Sequence, residues 1–207
     1  MIRRDFTIGS LGPATADDAV MLAPRLRQSD LVELAAYDGR EPLVALTKSL
    51  ENAKFALALR DLRGQTVSLL GVNWIWANPR AGSIWFVSDD RLDEFGLVFL
   101  EHVRLAFDDL FAGHDVVSNW IHEPNTKTVR WLRWLGFEVL SRHRSERSGE
   151  WFLEMARFAS PAVRDLYVER DWNAYHATLP ARDALGALGF AFSDDEAGRQ
   201  DANFSAA

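Results

Sequence analysis

His122 and Glu123 place an imidazole and a carboxylate side by side at the end of the apolar run VVSNWIH. Such a pair could move a proton to or from a reacting group; the alternative is a solvated strand terminus. The other histidines, His102, His114, His143 and His176, show no ligand spacing of the H-E-x-x-H kind, so no metal site is expected. Cysteine is absent, which removes thiolate nucleophiles, thiolate metal ligands and disulfides. A second stretch of interest is Ser88 to Gly96, SDDRLDEFG, lying between a strand-like and a helix-like run. It offers Arg91 and Gly96 among the acids Asp89, Asp90, Asp93 and Glu94. A third is the basic turn of Arg142, His143, Arg144 and Arg147, interrupted by Glu146 and Glu150. It reads as a solvated hairpin or as a contact for an acidic partner.

These residues need a frame, and hydrophobic periodicity supplies one. Thr15 with Asp18 three residues on resembles a capping box, opening a helix with Ala19, Val20, Leu22, Ala23 and Leu26 on one face. Pro24 should bend or end its first part. Ser29-Asp30 reads as a second cap before Leu31, Leu34 and Ala35, and Pro42 as the first residue of a helix through Leu43, Leu46 and Leu50. The period then changes to strands: Phe55 to Leu59, a turn at Arg60 to Gly64, Val67 to Trp76 with Gly71 as a candidate bulge, a turn at 78–82, and Ser83 to Ser88. Phe95, Phe99, Val103, Phe107 and Leu110 repeat at helical spacing. Val116 to His122 reads as a strand, Thr126 to Leu135 as a helix, and Phe137 to Arg142 and Glu150 to Phe158 as strands. The two strand–helix–strand crossovers predict parallel pairing in the second half of a mixed sheet with helices on both faces.

Composition narrows the partners. The net charge of -7 gives no basic excess for broad, phosphate-driven nucleic-acid binding. No apolar run is long enough to span a bilayer, and Met1 to Ser10 has no apolar core of the kind a secretory leader carries. Eight tryptophans are many for this length; those left exposed are candidates for a partner surface. Past Phe158 the composition shifts. Pro161 should open a helix to about Thr178, with Val163, Leu166, Tyr167 and Trp172 as buried positions. Beyond it, Leu185, Leu188, Phe190 and Phe192 form a short apolar cluster in a tail or docking segment.

The element order, with the segment NTKTVRWLRWLGF from Asn125 to Phe137, resembles the GNAT acetyltransferase superfamily over residues 1–158. Enzymes of that family carry an Asn, a Tyr seven residues later and Gly-Phe four residues after that. Here Asn125, Gly136 and Phe137 hold the spacing, and Leu132 takes the tyrosine's place. The resemblance implies a mixed, mostly antiparallel twisted sheet with helices on both faces, extended by a C-terminal helix and tail over 159–207. It also implies acetyl-CoA as cofactor, bound by a glycine-rich loop whose place is taken here by Ser88 to Gly96. The family's phenol protonates the departing thiolate, and leucine cannot do so. The acids of the loop suit a helix N-terminus better than a pyrophosphate.

A narrower resemblance joins WFVSDD (Trp85 to Asp90), the long helix after it, SNW (Ser118 to Trp120) and NTKTVRWLRWLG (Asn125 to Gly136). Together they are similar to a phage branch of this fold that includes the internal virion (core) protein of short-tailed phages. That resemblance implies a virion-associated protein of head assembly, present in the host cytoplasm while particles form. It would hold no cofactor, have no competent acetyl transfer, and work through contacts with other virion proteins or copies of itself, using exposed Trp residues and the C-terminal extension. Two alternatives stay open. One is an acetyl-CoA-dependent N-acetyltransferase acting on a protein or small amine, with Glu123 or His122 catalytic and Arg91, Gly96 and Asn125 at the cofactor. The other is a binding module that uses the acyl-CoA groove for a different ligand.

Overall fold

The computed structural model describes residues 4–6, 9–75, 78–96, 103–104, 107, 111 and 113–168. His102, Trp172, His176 and the expected apolar cluster at 185–192 lie outside them. Eight strands form one sheet: β1 (Arg4–Phe6), β2 (Gly9–Pro13), β3 (Ala53–Asp61), β4 (Thr66–Ile75), β5 (Asn78–Ser88), β6 (Val116–His122), β7 (Glu138–Arg144) and β8 (Trp151–Phe158). The helices are α1 (Ala16–Leu22), α2 (Gln28–Tyr37), α3 (Pro42–Glu51), α4 (Thr126–Trp134) and α5 (Pro161–Val168), with a 3-10 turn at Ala23–Arg25. Between β5 and β6 the chain is helical at 92–96 and again at Val103, Arg104, Phe107 and Phe111.

The spatial order is β1-β2-β3-β4-β5-β6-β8-β7. Pairing is antiparallel throughout except between β5 and β6. The expected parallel second half is therefore reduced to one pair. The crossover through α4 carries the chain past β8, which inserts antiparallel between β6 and β7.

Alternation along the strands divides the core into two layers, as a period of two requires. Leu57, Leu59, Leu70 and Val72 point to one face with Phe95, Val103, Phe107, Leu132 and Phe137. Ala58, Leu69 and Val87 point to the other, against Ala19, Leu22 and Leu46 of α1 and α3. Helices on both faces of a mostly antiparallel sheet are thus observed.

Three local differences from the sequence reading have physical causes. Gly9–Pro13 is a strand despite its small and breaking residues, because it lies antiparallel along β3 with Leu11 fully buried opposite Leu59. Strand β5 begins at Asn78 rather than Ser83, its first residue already paired with Ile75. Gly71 is not a bulge: it pairs regularly with Ala56 and Trp85. A Cβ there would stand 2.6 Å from the Trp85 ring and 2.8 Å from the Phe55 carbonyl oxygen, so glycine makes room for the indole.

The expected capping box at Thr15 is present, and its acid does more than cap. Asp18 accepts from the Thr15 backbone N–H at 2.7 Å, from Thr66 Oγ1 at 2.7 Å and from Arg60 Nε at 2.8 Å. Burial raises its pKa, but these hydrogen bonds outweigh that and hold it below the usual carboxylate range. A depressed folded pKa stabilises above the unfolded value, and that contribution is lost as pH falls through the folded one. Asp18→Ala leaves Arg60 without its carboxylate, and urea unfolding at pH 7 should show a loss of about 3–5 kcal/mol. The loss should begin to shrink below about pH 4 and go on shrinking as pH falls through the lower folded pKa, where the wild type gives up the same contribution.

Candidate functional site

Strands β5 and β6 pair over three positions, Ala81 with Val116, Gly82 with Val117 and Ser83 with Ser118. Beyond them β5 continues along β4 to Ser88, while β6 continues along β8 to His122. The two parallel strands therefore part toward their C-terminal ends, where open α/β sheets place their binding crevices. The gap is a narrow wedge of about 20 Å³ lined by Glu33, Ile84, Phe86, Asn119, Ile121, Asn125, Trp131 and Leu132, among others.

Helix α2 spans the open side of this wedge. At its start, the buried Asp30 accepts from Arg27 Nη2 at 2.8 Å and from the Ser88 backbone N–H at 2.9 Å, pinning the helix to the end of β5. Near its end, Arg147 from the β7–β8 hairpin donates to the Ala35 carbonyl, and Tyr37 packs edge-on against Phe152 of β8. Glu33 lies between these anchors. Its Oε2 accepts from Asn125 Nδ2 at 2.9 Å. Burial pushes the Glu33 carboxyl up from an ordinary 4.5 to about 7, with Asp30 adding to the rise. Hydrogen bonds from Asn125 and the His122 backbone, and the charge of Arg27, offset part of it.

A larger groove of about 420 Å³ adjoins the wedge, lined by Arg27, Phe86, Leu92, Asp93, Gly96, Lys127, Thr128, Arg130, Trp131 and Trp134. Its walls are mostly apolar and its cations come from α4 and the start of α2. Its size is within the usual range for small-molecule sites, roughly 300–1,000 Å³. Phe86, Thr128 and Trp131 line both spaces. The Phe86 and Trp131 rings pack at 4.9 Å between them. Trp131 is half-buried, and its Nε1–H is enclosed with no hydrogen-bond partner among the described residues.

The residues singled out in sequence are distributed unevenly around this site. Gly96 lines the groove. Asn125 caps α4, accepting from the Thr128 backbone N–H at 3.3 Å, and orients Glu33 through its amide. Leu132 is buried in the wedge wall, where the family places a phenol. Arg91 does not face the groove. It binds Asp89 and Asp61, each at 2.7 Å, and lines a separate cavity of about 470 Å³ beside the β3–β4 hairpin.

The expected His122–Glu123 pair does not form. Nε2 of His122 is 3.5 Å from Glu150 Oε2, whereas Glu123 accepts from Arg142 at 2.6 Å, with that guanidinium stacked on Trp151. Of the acids in the loop, Asp89 is buried against Arg91 and Arg25, and Asp93 is paired with Lys127. The negative field expected to repel a pyrophosphate is therefore partly neutralised. Glu33 was missed in sequence. Its one signal is an acid set among apolar residues in LVELAA, on a helix too short to need a charge there.

No family model and no curated protein matches the chain. Solved structures do. The ribosomal-protein-S5-alanine acetyltransferase from Vibrio fischeri superposes with a TM-score of 0.56 at 14% identity, over 78% of this chain and 98% of that one. A GCN5-related N-acetyltransferase from Kribbella flavida gives 0.55 at 17%, over 72% and 96%. Spermidine N-acetyltransferase from Vibrio cholerae, in complex with CoA and spermine, gives 0.54 at 14%, over 72% and 94%. The chain has the GNAT fold. The CoA held by the Vibrio cholerae protein overturns the expectation of a chain without a cofactor. None of these three is described as a phage protein, so the narrower resemblance gains no support from them.

Asn125→Ala removes both the cap and the donor to Glu33. The variant should lose about 1 kcal/mol of stability in urea. Because the lost hydrogen bond favoured the carboxylate, the Glu33 pKa should rise further. Carboxyl-carbon NMR titration should show one resonance with a midpoint near 7 in the wild type and above it in the variant.

Proposed function

We propose that the chain is an acetyl-CoA-dependent N-acetyltransferase in which Glu33 is the general base. The observation that carries this reading is the carboxyl of Glu33, raised to about 7 by burial, in the wall of a wedge continuous with an apolar groove. A base is most effective when its pKa lies near the working pH.

The donor set fits the coenzyme. Phe86, Leu92, Trp131 and Trp134 would cover its apolar arm, and Arg27, Lys127 and Arg130 would supply cations for its phosphates. When bound, acetyl-CoA supplies the acetyl group, its C–S bond breaking as a neutral amine nitrogen bonds to the carbonyl carbon and the electron pair leaves on sulfur. Glu33 takes the proton that the amine nitrogen gives up. Burial favours the protonated acid that results, and Asn125 and the His122 backbone N–H hold its oxygens in place. The acceptor is an amine on a small molecule or a protein.

The virion reading rests on three short segments and the long helix after the first, and each of the three segments supplies wedge wall: Trp85 and Phe86, Asn119, and Asn125, Thr128, Trp131 and Leu132. Their occurrence together follows from one cavity and needs no virion partner. The loop from Ser88 to Gly96 and the leucine at 132 remain departures from the family's enzymes; the loop bears on how the phosphates are held, and the leucine on rate.

Acetyl transfer to an amine should rise with pH along a limb centred near 7. Glu33→Gln should abolish that limb and lower kcat at pH 8 by about 100-fold, with acetyl-CoA affinity within about twofold by calorimetry. A raised carboxyl pKa is destabilising as pH climbs from 4.5 through the folded value. The variant should therefore melt no lower than wild type at pH 8, which separates lost chemistry from lost fold. Absence of acetyl-CoA binding at millimolar cofactor would overturn the proposal.

A further inference from the structure

Resting on the coenzyme site proposed above, we infer that the indole N–H of Trp131 is the hydrogen-bond donor to the coenzyme sulfur, in place of the phenol that Leu132 lacks. The argument begins with connectivity. A thioester joins a long apolar arm to an acetyl group through one sulfur. If the arm lies in the 420 Å³ groove and the acetyl group enters the wedge, the sulfur must sit where the two spaces meet. Among the described residues three line both, and Phe86 has no donor. That leaves Thr128 and Trp131.

Of these two, Trp131 has the buried donor without a partner. An enclosed N–H left unpaired is costly and calls for an explanation. A ligand atom at the junction supplies one. The indole is held at the junction by packing, with Phe86 at 4.9 Å and Phe107 at 5.6 Å. Trp131 keeps its proton. Its role is to stabilise the thiolate by a charge-assisted hydrogen bond, while the proton from the amine goes to Glu33 and the thiolate is protonated from solvent after release.

The test reads binding. A donor aimed at sulfur favours the thiolate of CoA over the thiol, which ionises near ~8.5 in a free cysteine. Between pH 7.5 and 9.5, affinity for CoA should increase by about tenfold relative to desulfo-CoA. Glu33, Asp93, Arg27, Lys127 and Arg130 also face this space. Desulfo-CoA meets the same groups and cancels their effect on the rest of the coenzyme; their effect on the thiolate is common to wild type and Trp131→Phe, so comparing those two isolates the indole.

Trp131→Phe should bind desulfo-CoA as wild type does and lose the pH-dependent gain for CoA. Thr128→Val should keep it. In the unmutated protein, the Trp131 indole N–H resonance should shift downfield as bound CoA ionises and stay fixed with desulfo-CoA, a readout that needs no folded variant. A gain that survives in Trp131→Phe, a gain lost in Thr128→Val instead, or an unmoved indole resonance overturns the inference and leaves the enzyme reading intact. Failure of wild type to bind CoA at all overturns both.

Discussion

Three pairs of residues, Ala81–Val116, Gly82–Val117 and Ser83–Ser118, join the two halves of the sheet. Everything at the candidate site depends on how short that seam is. Had β5 and β6 paired to their ends, Phe86 and Ile121 would be neighbours on a closed surface and no wedge would exist. Because they part, side chains from α2 and α4 must close the gap. The parting is held open from both sides by pairing that continues elsewhere: β5 stays bonded to β4 as far as Ser88, and β6 stays bonded to β8 as far as His122. Gly71 contributes from the second row. Its missing Cβ lets Trp85 lie flat over β4, where its indole N–H reaches Asn73 at 2.7 Å.

The carboxylates of the molecule separate into two kinds, and the separation bears on function. Asp18, Asp30 and Asp89 are all buried, and each is bound to an arginine: Arg60, Arg27 and Arg91 respectively. These pairs fix helices and loops to the sheet. Glu33 differs. Its bonded partners are neutral, the Asn125 amide and a backbone N–H. Neutral donors hold the side chain in place without forcing it to stay charged. A carboxyl that can change protonation state near neutrality, as Glu33 can, is what proton transfer requires.

Much of the fold was legible because its signals are local. Period-two alternation in β3 and β4, the capping box at Thr15 and the Asn125 to Phe137 helix each follow from a few adjacent residues, and each is where the sequence put it. The strand at Gly9–Pro13 was not legible: its residues have poor strand propensity, and only pairing to β3 makes it a strand. The site was less legible still. Adjacency in sequence suggested His122 with Glu123, yet neighbouring residues at a strand end point to opposite sides. They found separate partners in Glu150 and Arg142. Glu33 reaches Asn125 across 92 positions of sequence, and no spacing rule anticipates that.

The loop from Ser88 to Gly96 shows how composition can mislead when partners are unknown. Four acids beside a proposed phosphate site argue for repulsion if each faces the groove. The fold instead turns Asp89 inward to Arg91 and Arg25, and sets Asp93 against Lys127. What the groove presents in addition is the exposed Arg130, and Arg27, whose guanidinium is already bound to Asp30. A glycine-rich loop offers backbone N–H groups, fixed in place and uncharged. Here the available donors are guanidinium and ammonium groups on long side chains, more exposed to solvent and more sensitive to salt. Recognition of a phosphate by this groove therefore trades preorganised dipoles for screened charge, while the wedge beyond it keeps the buried, fixed groups that chemistry on the acetyl end requires.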